Sequence, residues 1–313
     1  MQKNFKNEFI LIGYLYNLDL SEKTVQNQTS KNFGKPFIQG TLDVATDEDG
    51  LNVVSVHFSF VQPVYASGKE NKTYTFLKNL IADRKDWMTV GKDEAKKIKV
   101  TASIDLNDFY NMTDQKMISA QRVEGSFVQA ASASDQLTNS YTLDYIMTKV
   151  TRVEANDEKG TPEYVEVKGA AFNFRNALLP MTFRVMDPTG MDYIESLGIS
   201  GSEPVFTKIF GHLDNLTVLK SVEQETAWGE PVVSSRETRV KNWTLDRMAK
   251  VPYEFDTEET ITAEELKKLM QDREVYLAEV KANAEEYAAT KGTAASAPSA
   301  PAIGIVSNND FNF

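Results

Sequence analysis

The sequence contains no cysteine, which removes disulfides, thiolate nucleophiles and cysteine-based zinc sites together. It has only two histidines, His57 and His212. Each stands among alternating apolar residues, the setting of a partly buried strand histidine rather than of a catalytic one. None of the patterns HExxH, GxSxG, GxxxxGKS/T or GxGxxG occurs, so zincin, hydrolase, P-loop and dinucleotide-binding readings have no support. The stretch ATDEDGLN opens like a calcium loop with Asp47, Asp49 and Gly50, but the closing glutamate is missing and a charged hairpin turn is the better reading. No run of 18 or more apolar residues exists, which excludes a membrane-spanning helix. The start, MQKNFKNEFILIGYLYNLDL, breaks its apolar patch with Gly, Tyr and Asn and has no small-residue cleavage site after it. A protein without a signal peptide, working in the cytoplasm, is therefore expected. These absences together predict a protein that is not an enzyme and uses no cofactor and no metal.

Period-two alternation dominates up to about residue 250. Strands are predicted at 9–18, 37–44, 51–61, 96–110 and 117–130, with a short amphipathic helix at 73–87 between the third and the fourth. Ile10, Ile12, Tyr14 and Tyr16 share one face of the first strand. Ile38, Gly40, Leu42 and Val44 align in the second, and Val54, Val56, Phe58 and Phe60 in the third. After a polar stretch at 131–140 the order returns: strands at 141–155, 163–174, 177–187, 204–219 and 234–248, with a helix at 190–199. Five strands with a helix after the third fit the OB barrel. The expected fold is mainly β, with two tandem OB-like five-stranded barrels at 1–130 and 141–255, an amphipathic helix at 262–290 and a disordered tail at 291–313. One irregular β-sandwich is the alternative. Thr262 and Glu265 form a capping box for the helix. Leu266, Leu269, Met270, Leu277, Val280, Ala284 and Tyr287 make an apolar stripe that must dock on the body or on another subunit.

The net charge is −11, but residues 251–313 carry −7 of it and residues 1–250 only −4. A near-neutral body can hold a basic groove, although no strongly basic face shows. With no reactive motif in the sequence, a binding surface is the expected function. Single-stranded nucleic acid is held by aromatic rings that stack on bases and by cations along its backbone. Candidates are Tyr14, Tyr16, Lys35, Phe37, Tyr74, Lys78, Arg84, Lys85, Lys96, Lys97 and Lys99 in the first half. In the second half they are Lys168, Phe172, Phe174, Arg175, Arg184, Arg239, Lys241 and Trp243. Facing decides among them: Phe37 lies opposite Ile38, Leu42 and Val44 and is expected at the surface. Phe172 and Phe174 share a face with Glu166 and Lys168 and are expected there too, whereas Phe58 and Phe60 are expected in the core.

The chain ends in GTAASAPSAPAIGIVSNNDFNF, an Ala/Pro/Ser tether followed by Asp310, Phe311, Asn312 and Phe313. Such a tether buries too little surface to fold. A β-barrel body, a flexible tether and an acidic-aromatic tip resemble the bacterial and phage single-stranded DNA-binding proteins. The resemblance implies a barrel that holds the strand and a tip that recruits replication, recombination and repair proteins, its terminal Phe in an apolar pocket and its carboxylate on a basic rim. Here one Asp and an Asn stand where that family has a run of acids and a Pro, and two barrels stand where it has one. The departures point to a phage-encoded form in the cytoplasm of an infected bacterium, with single-stranded DNA and partner proteins as ligands and a homo-oligomer as one possible assembly. The alternative is a β-rich phage virion or assembly protein; a strand-annealing protein is a third reading.

Overall fold

In a computed structural model the chain is described over residues 3–156, 161–224, 232–257 and 260–291. The first barrel is built from β1 (Asn7–Thr24), β2 (Pro36–Ala45), β3 (Val53–Val61), β4 (Lys97–Asn111) and β5 (Lys116–Ala130). Between β3 and β4 run α1 (Lys72–Ala82) and the single turn α2 (Trp87–Val90). β1 pairs antiparallel with both β2 and β4, β2 with β3 and β4 with β5, and a parallel contact of β3 with β5 closes the ring. The second barrel uses β6 (Thr138–Val153), β7 (Tyr164–Phe172), β8 (Leu178–Val185), β9 (Val205–Gln224) and β10 (Val232–Met248), with α3 (Pro188–Ser196) after β8. It closes in the same order, with β8 and β10 as its parallel pair. The architecture is thus a pair of OB-like barrels, each with its helix after the third strand.

The barrels are not separate beads. β1 also pairs with β6, from Asn7 opposite Leu143 to Ile12 opposite Thr138, which makes one ten-stranded sheet. Asparagines lock the seam. Asn52 accepts from the amide of Asn215, Asn139 donates to the carbonyl of Leu213, and Asn139 accepts from the Leu213 amide.

Inward positions alternate as the sequence pattern requires: Phe9, Leu11 and Leu15 on β1, Leu42 and Val44 on β2, Val54, Val56 and Phe58 on β3 are fully buried. Ile10, Ile12, Tyr14 and Tyr16 therefore form the outer face of β1. Gly13 occupies an inward position because a Cβ there would lie 2.1 Å from the carbonyl oxygen of Ala45. Gly211 is the counterpart on β9, where a Cβ would fall 1.9 Å from the Thr244 oxygen. Both mark strands that coil too tightly for any side chain. One core runs through both barrels, with Trp243 against Phe9 and Tyr141 at 5.9 and 6.1 Å between ring centres.

α4 (Ala263–Lys291) crosses the outside of both barrels. Its capping box forms as expected: the Glu265 amide donates to Thr262 Oγ1 at 3.1 Å, and the Thr262 amide to Glu265 Oε2 at 2.8 Å. Leu266, Leu269 and Met270 dock on a satellite core with Phe5, Phe172 and Phe206. Arg273 reaches Asp108 on β4 at 2.8 Å. Past that residue the stripe is only half-covered at Leu277, Val280 and Ala284, and Tyr287 is exposed. No helix among the described residues is long and apolar enough to cross a membrane.

Candidate nucleic-acid interface

The β1–β2 loop and the β3–α1 loop meet at one rim of the first barrel. Lys23 sits opposite Phe37 in the β1–β2 register, and Phe37 packs on Phe60 with ring centres 4.6 Å apart. Phe60 is 46 % exposed, Phe33 in the β1–β2 loop 51 % and Tyr65 in the β3–α1 loop 48 %. Lys23, Lys31, Lys35, Lys69 and Lys72 lie on the same strand ends and loops, all exposed and none in an ion pair among the described residues. Against these five cations the segments 23–37 and 60–72 hold one acid, Glu70. Rings open to solvent and uncommitted cations thus coincide on this rim.

The position of Phe60 corrects the expectation that it belongs to the core. Ile38 pairs with Val61 and Gly40 with Phe58, so two residues of β3 oppose the single residue Gln39. This bulge, taken up at Gly40 with φ of 130°, breaks the period of two and turns Phe60 outward. Phe58, one step before the bulge, stays buried as expected.

Other sequence candidates are placed less favourably. Tyr14 and Tyr16 are half-buried on β1 and carry Trp87 between them, each 5.8 Å from its ring. Lys92 and Lys97 cap this cluster at 5.7 and 6.0 Å from the Tyr14 ring. Tyr74 is buried, and its hydroxyl donates to Glu22, which also pairs with Lys78 at 3.1 Å. Burial, followed by that carboxylate, pushes the phenol up to about 12. Arg84 pairs with Asp86 at 2.6 Å and Lys96 with Asp83 at 3.0 Å. Lys85 is exposed and Lys99 lies half-exposed on the outer face of β4 opposite Ile12.

In the second barrel, Phe172 is 0 % exposed, against expectation. Its outward ring is covered by Phe5, stacked at 4.1 Å, and by the docked start of α4. Trp243 is buried too, because β10 lies where the two barrels share their core. Lys241 beside it donates to the Gln121 carbonyl at 3.2 Å, and burial lowers its amine to about 8. Arg184 lies 4.4 Å over the Tyr164 ring and donates to Asn242. Lys168 pairs with Glu166 at 3.6 Å. Phe174, at the tip of the β7–β8 turn, is 78 % exposed as expected, with the Arg175 guanidinium 5.0 Å from its ring. Arg239 is placed on β10 opposite Thr217. Asp310, Phe311, Asn312 and Phe313 lie outside the described residues, as does the rest of the tail.

Sequence reasoning missed Phe33, Tyr65, Lys23, Lys31 and Lys69. A signal was present: residues 23–42 and 50–69 are both free of Asp and Glu in a chain with 45 acids. The second barrel reverses the arrangement. Its first loop, 154–163, has four acids and one base, and Arg152 beside it is held by Glu163, Asp192 and Glu195. Its acid-free stretch is 167–186, which contains Lys168, Arg175 and Arg184.

The two histidines lie on β3 and β9. His57 lies half-buried on β3, its imidazole lowered by burial and then by Arg122. His212 faces Asp214 at 3.3 Å and Asp246 at 2.9 Å, and these two carboxylates raise it to about 10. A raised folded-state value means stability that is fully present below the unfolded value near 6.5 and lost as the pH climbs through 10. The ring protons of His212 are expected to titrate near pH 10 by NMR, and His212→Asn to flatten the fall in stability between pH 7 and 10. A titration near 6.5 contradicts the arrangement.

The family model described as YorF matches residues 7–283, nearly all of both barrels and most of α4. The chain belongs to the YorF family. No curated protein matches this YorF-family chain. Among solved structures it is similar to a deletion mutant of the single-stranded DNA binding protein from Thermus aquaticus, at 12 % identity and a TM-score of 0.47, covering 83 % of this chain and 100 % of that one. The wild-type form of that protein gives 12 % identity and a TM-score of 0.43, with 72 % and 97 % covered.

Proposed function

We propose that this protein binds single-stranded DNA and performs no catalysis. The observation that carries the reading is the rim of the first barrel, where Phe33, Phe60 and Tyr65 are open to solvent on segments that carry five lysines, none in an ion pair among the described residues. Exposed rings give every base a stacking surface, and free cations follow the phosphates without reading sequence. Duplex DNA has its base faces occupied and cannot use the rings. A virion role would need flat apolar patches; the exposed rings here are interleaved with charge instead.

The finer role is in phage DNA replication and recombination, in the cytoplasm of the infected host. The bound strand is protected there, and the tip Asp310–Phe313 calls partner proteins to it. The acidic-aromatic sequence of the tip and the length of its tether support this part. A gel shift of the full chain with single-stranded and duplex DNA at two salt concentrations tests the reading. Single-stranded DNA is expected to shift, with the logarithm of affinity falling by about 0.7 per phosphate contacted for each decade of salt. No shift, or equal binding of duplex, overturns it.

A further inference from the structure

Where the two barrels meet α4 there is a cavity of about 470 Å3, within the range of small-ligand pockets. Asp105 and Arg122 come from β4 and β5, Asn173 and Arg175 from the β7–β8 turn, and Arg273 and Tyr276 from α4. Leucines of all three elements make its apolar wall.

Its polar groups are unfinished. The Arg273 side chain is 8 % exposed, and its terminal nitrogens donate to Asp108 and Ser119. Its Nε has no hydrogen-bond partner among the described residues, and neither has the Nε of Arg122. Both Nε atoms are sealed from solvent, so the cations that a ligand in the cavity can reach are the terminal nitrogens of the partly exposed Arg122 and the exposed guanidinium of Arg175. Asp105 offers the opposite chemistry. One carboxylate oxygen accepts from the Leu106 amide at 2.8 Å, and the other has no protein partner among the described residues. Tyr276, 47 % exposed, presents its ring at the mouth.

Side-chain contacts link the lining of the cavity to the aromatic rim. Arg122 pairs with Glu124 at 3.3 Å, and Glu124 accepts from the amide and hydroxyl of Ser59, the neighbour of Phe60. On its far side Arg175 adjoins Phe174.

We propose that the cavity takes one nucleotide of the bound strand. Arg122 and Arg175 hold its phosphate, Tyr276 lies against its base, and Asp105 with Asn173 reads the base edge. A carboxylate only accepts hydrogen bonds. Guanine presents two adjacent N–H donors to it, whereas thymine presents one N–H between two carbonyl oxygens. The subsite therefore prefers guanine. This rests on the single-stranded DNA reading above.

The test uses the full chain and fluorescence anisotropy with oligo-dT and with an oligonucleotide of the same length carrying dG at every fourth position. The guanine-bearing strand is expected to bind about 5-fold more tightly or better, the lower end of what a bidentate base contact discriminates. Asp105→Asn keeps the acceptor for the Leu106 amide and is expected to abolish the preference, bringing the ratio of the two affinities to about 1. Tyr276→Ala, at an exposed position, is expected to weaken both strands. Equal affinities in the wild type, or a preference that survives Asp105→Asn, overturn the subsite alone. Failure of the wild type to bind oligo-dT overturns the functional reading and the subsite with it.

Discussion

Replacing Phe33 and Phe60 together by alanine is expected to weaken oligo-dT binding about 30-fold or more. Each base stacked on an aromatic ring contributes about 1–3 kcal/mol by alanine substitution, so two lost platforms remove at least about 2 kcal/mol. Both rings are roughly half exposed, so thermal unfolding should change little and the loss reads as binding. The cations behave differently. Lys31→Glu with Lys35→Glu removes two phosphate contacts and should reduce the slope of log affinity against log salt by about 1.4. Lys78→Ala and Lys96→Ala are the controls. Both are already paired, with Glu22 and Asp83 respectively, and should leave the slope unchanged. If the two controls lower the slope as much as the rim pair, binding is diffuse and the rim is not its seat.

The second large effect concerns Arg273. Its ion pair with Asp108 is buried, with side chains 8 % and 4 % exposed. Arg273→Met leaves the Asp108 carboxylate in the protein interior with only Ser119 as a side-chain donor. Breaking a buried pair from one side costs about 3–5 kcal/mol. At roughly 2–4 °C per kcal/mol for a chain of this size, the midpoint of thermal unfolding should fall by about 6–20 °C. The double variant Arg273→Met with Asp108→Leu should recover most of that, because no charge is then stranded. A single variant that melts within about 1 °C of the wild type would mean that α4 does not dock on β4.

Much of the fold was legible because its signals are local. Alternation along β1 to β3 fixes which residues face inward, and Thr262 with Glu265 announces the start of α4 three residues apart. The repeat of strand order with a helix after the third strand carried the barrel topology. The site was less legible because exposure depends on what arrives from elsewhere in the chain. Phe172 points outward on β7 as its neighbours suggest, yet Phe5 and Leu266 come from the two ends of the sequence to cover it. Trp243 is hidden by Phe9 and Tyr141, more than a hundred residues before it. Tyr74 looks like a surface ring on an amphipathic helix until Glu22, on β1, claims its hydroxyl. Phe60 is the instructive case of the opposite kind: one extra residue of β3 opposite Gln39 inverts its side, and no periodicity argument detects a bulge that only the pairing with β2 reveals.

β1 serves three neighbours at once, with β4 on one edge and β2 and then β6 along the other. A polypeptide severed between the halves would bare the amides and carbonyls of residues 7–12 on one piece and of 138–143 on the other. Naked strand borders of that sort recruit whatever extended peptide they meet. Dissecting this molecule into halves would therefore manufacture adhesive fragments, and the intact polypeptide is the smallest unit whose seams are all sewn.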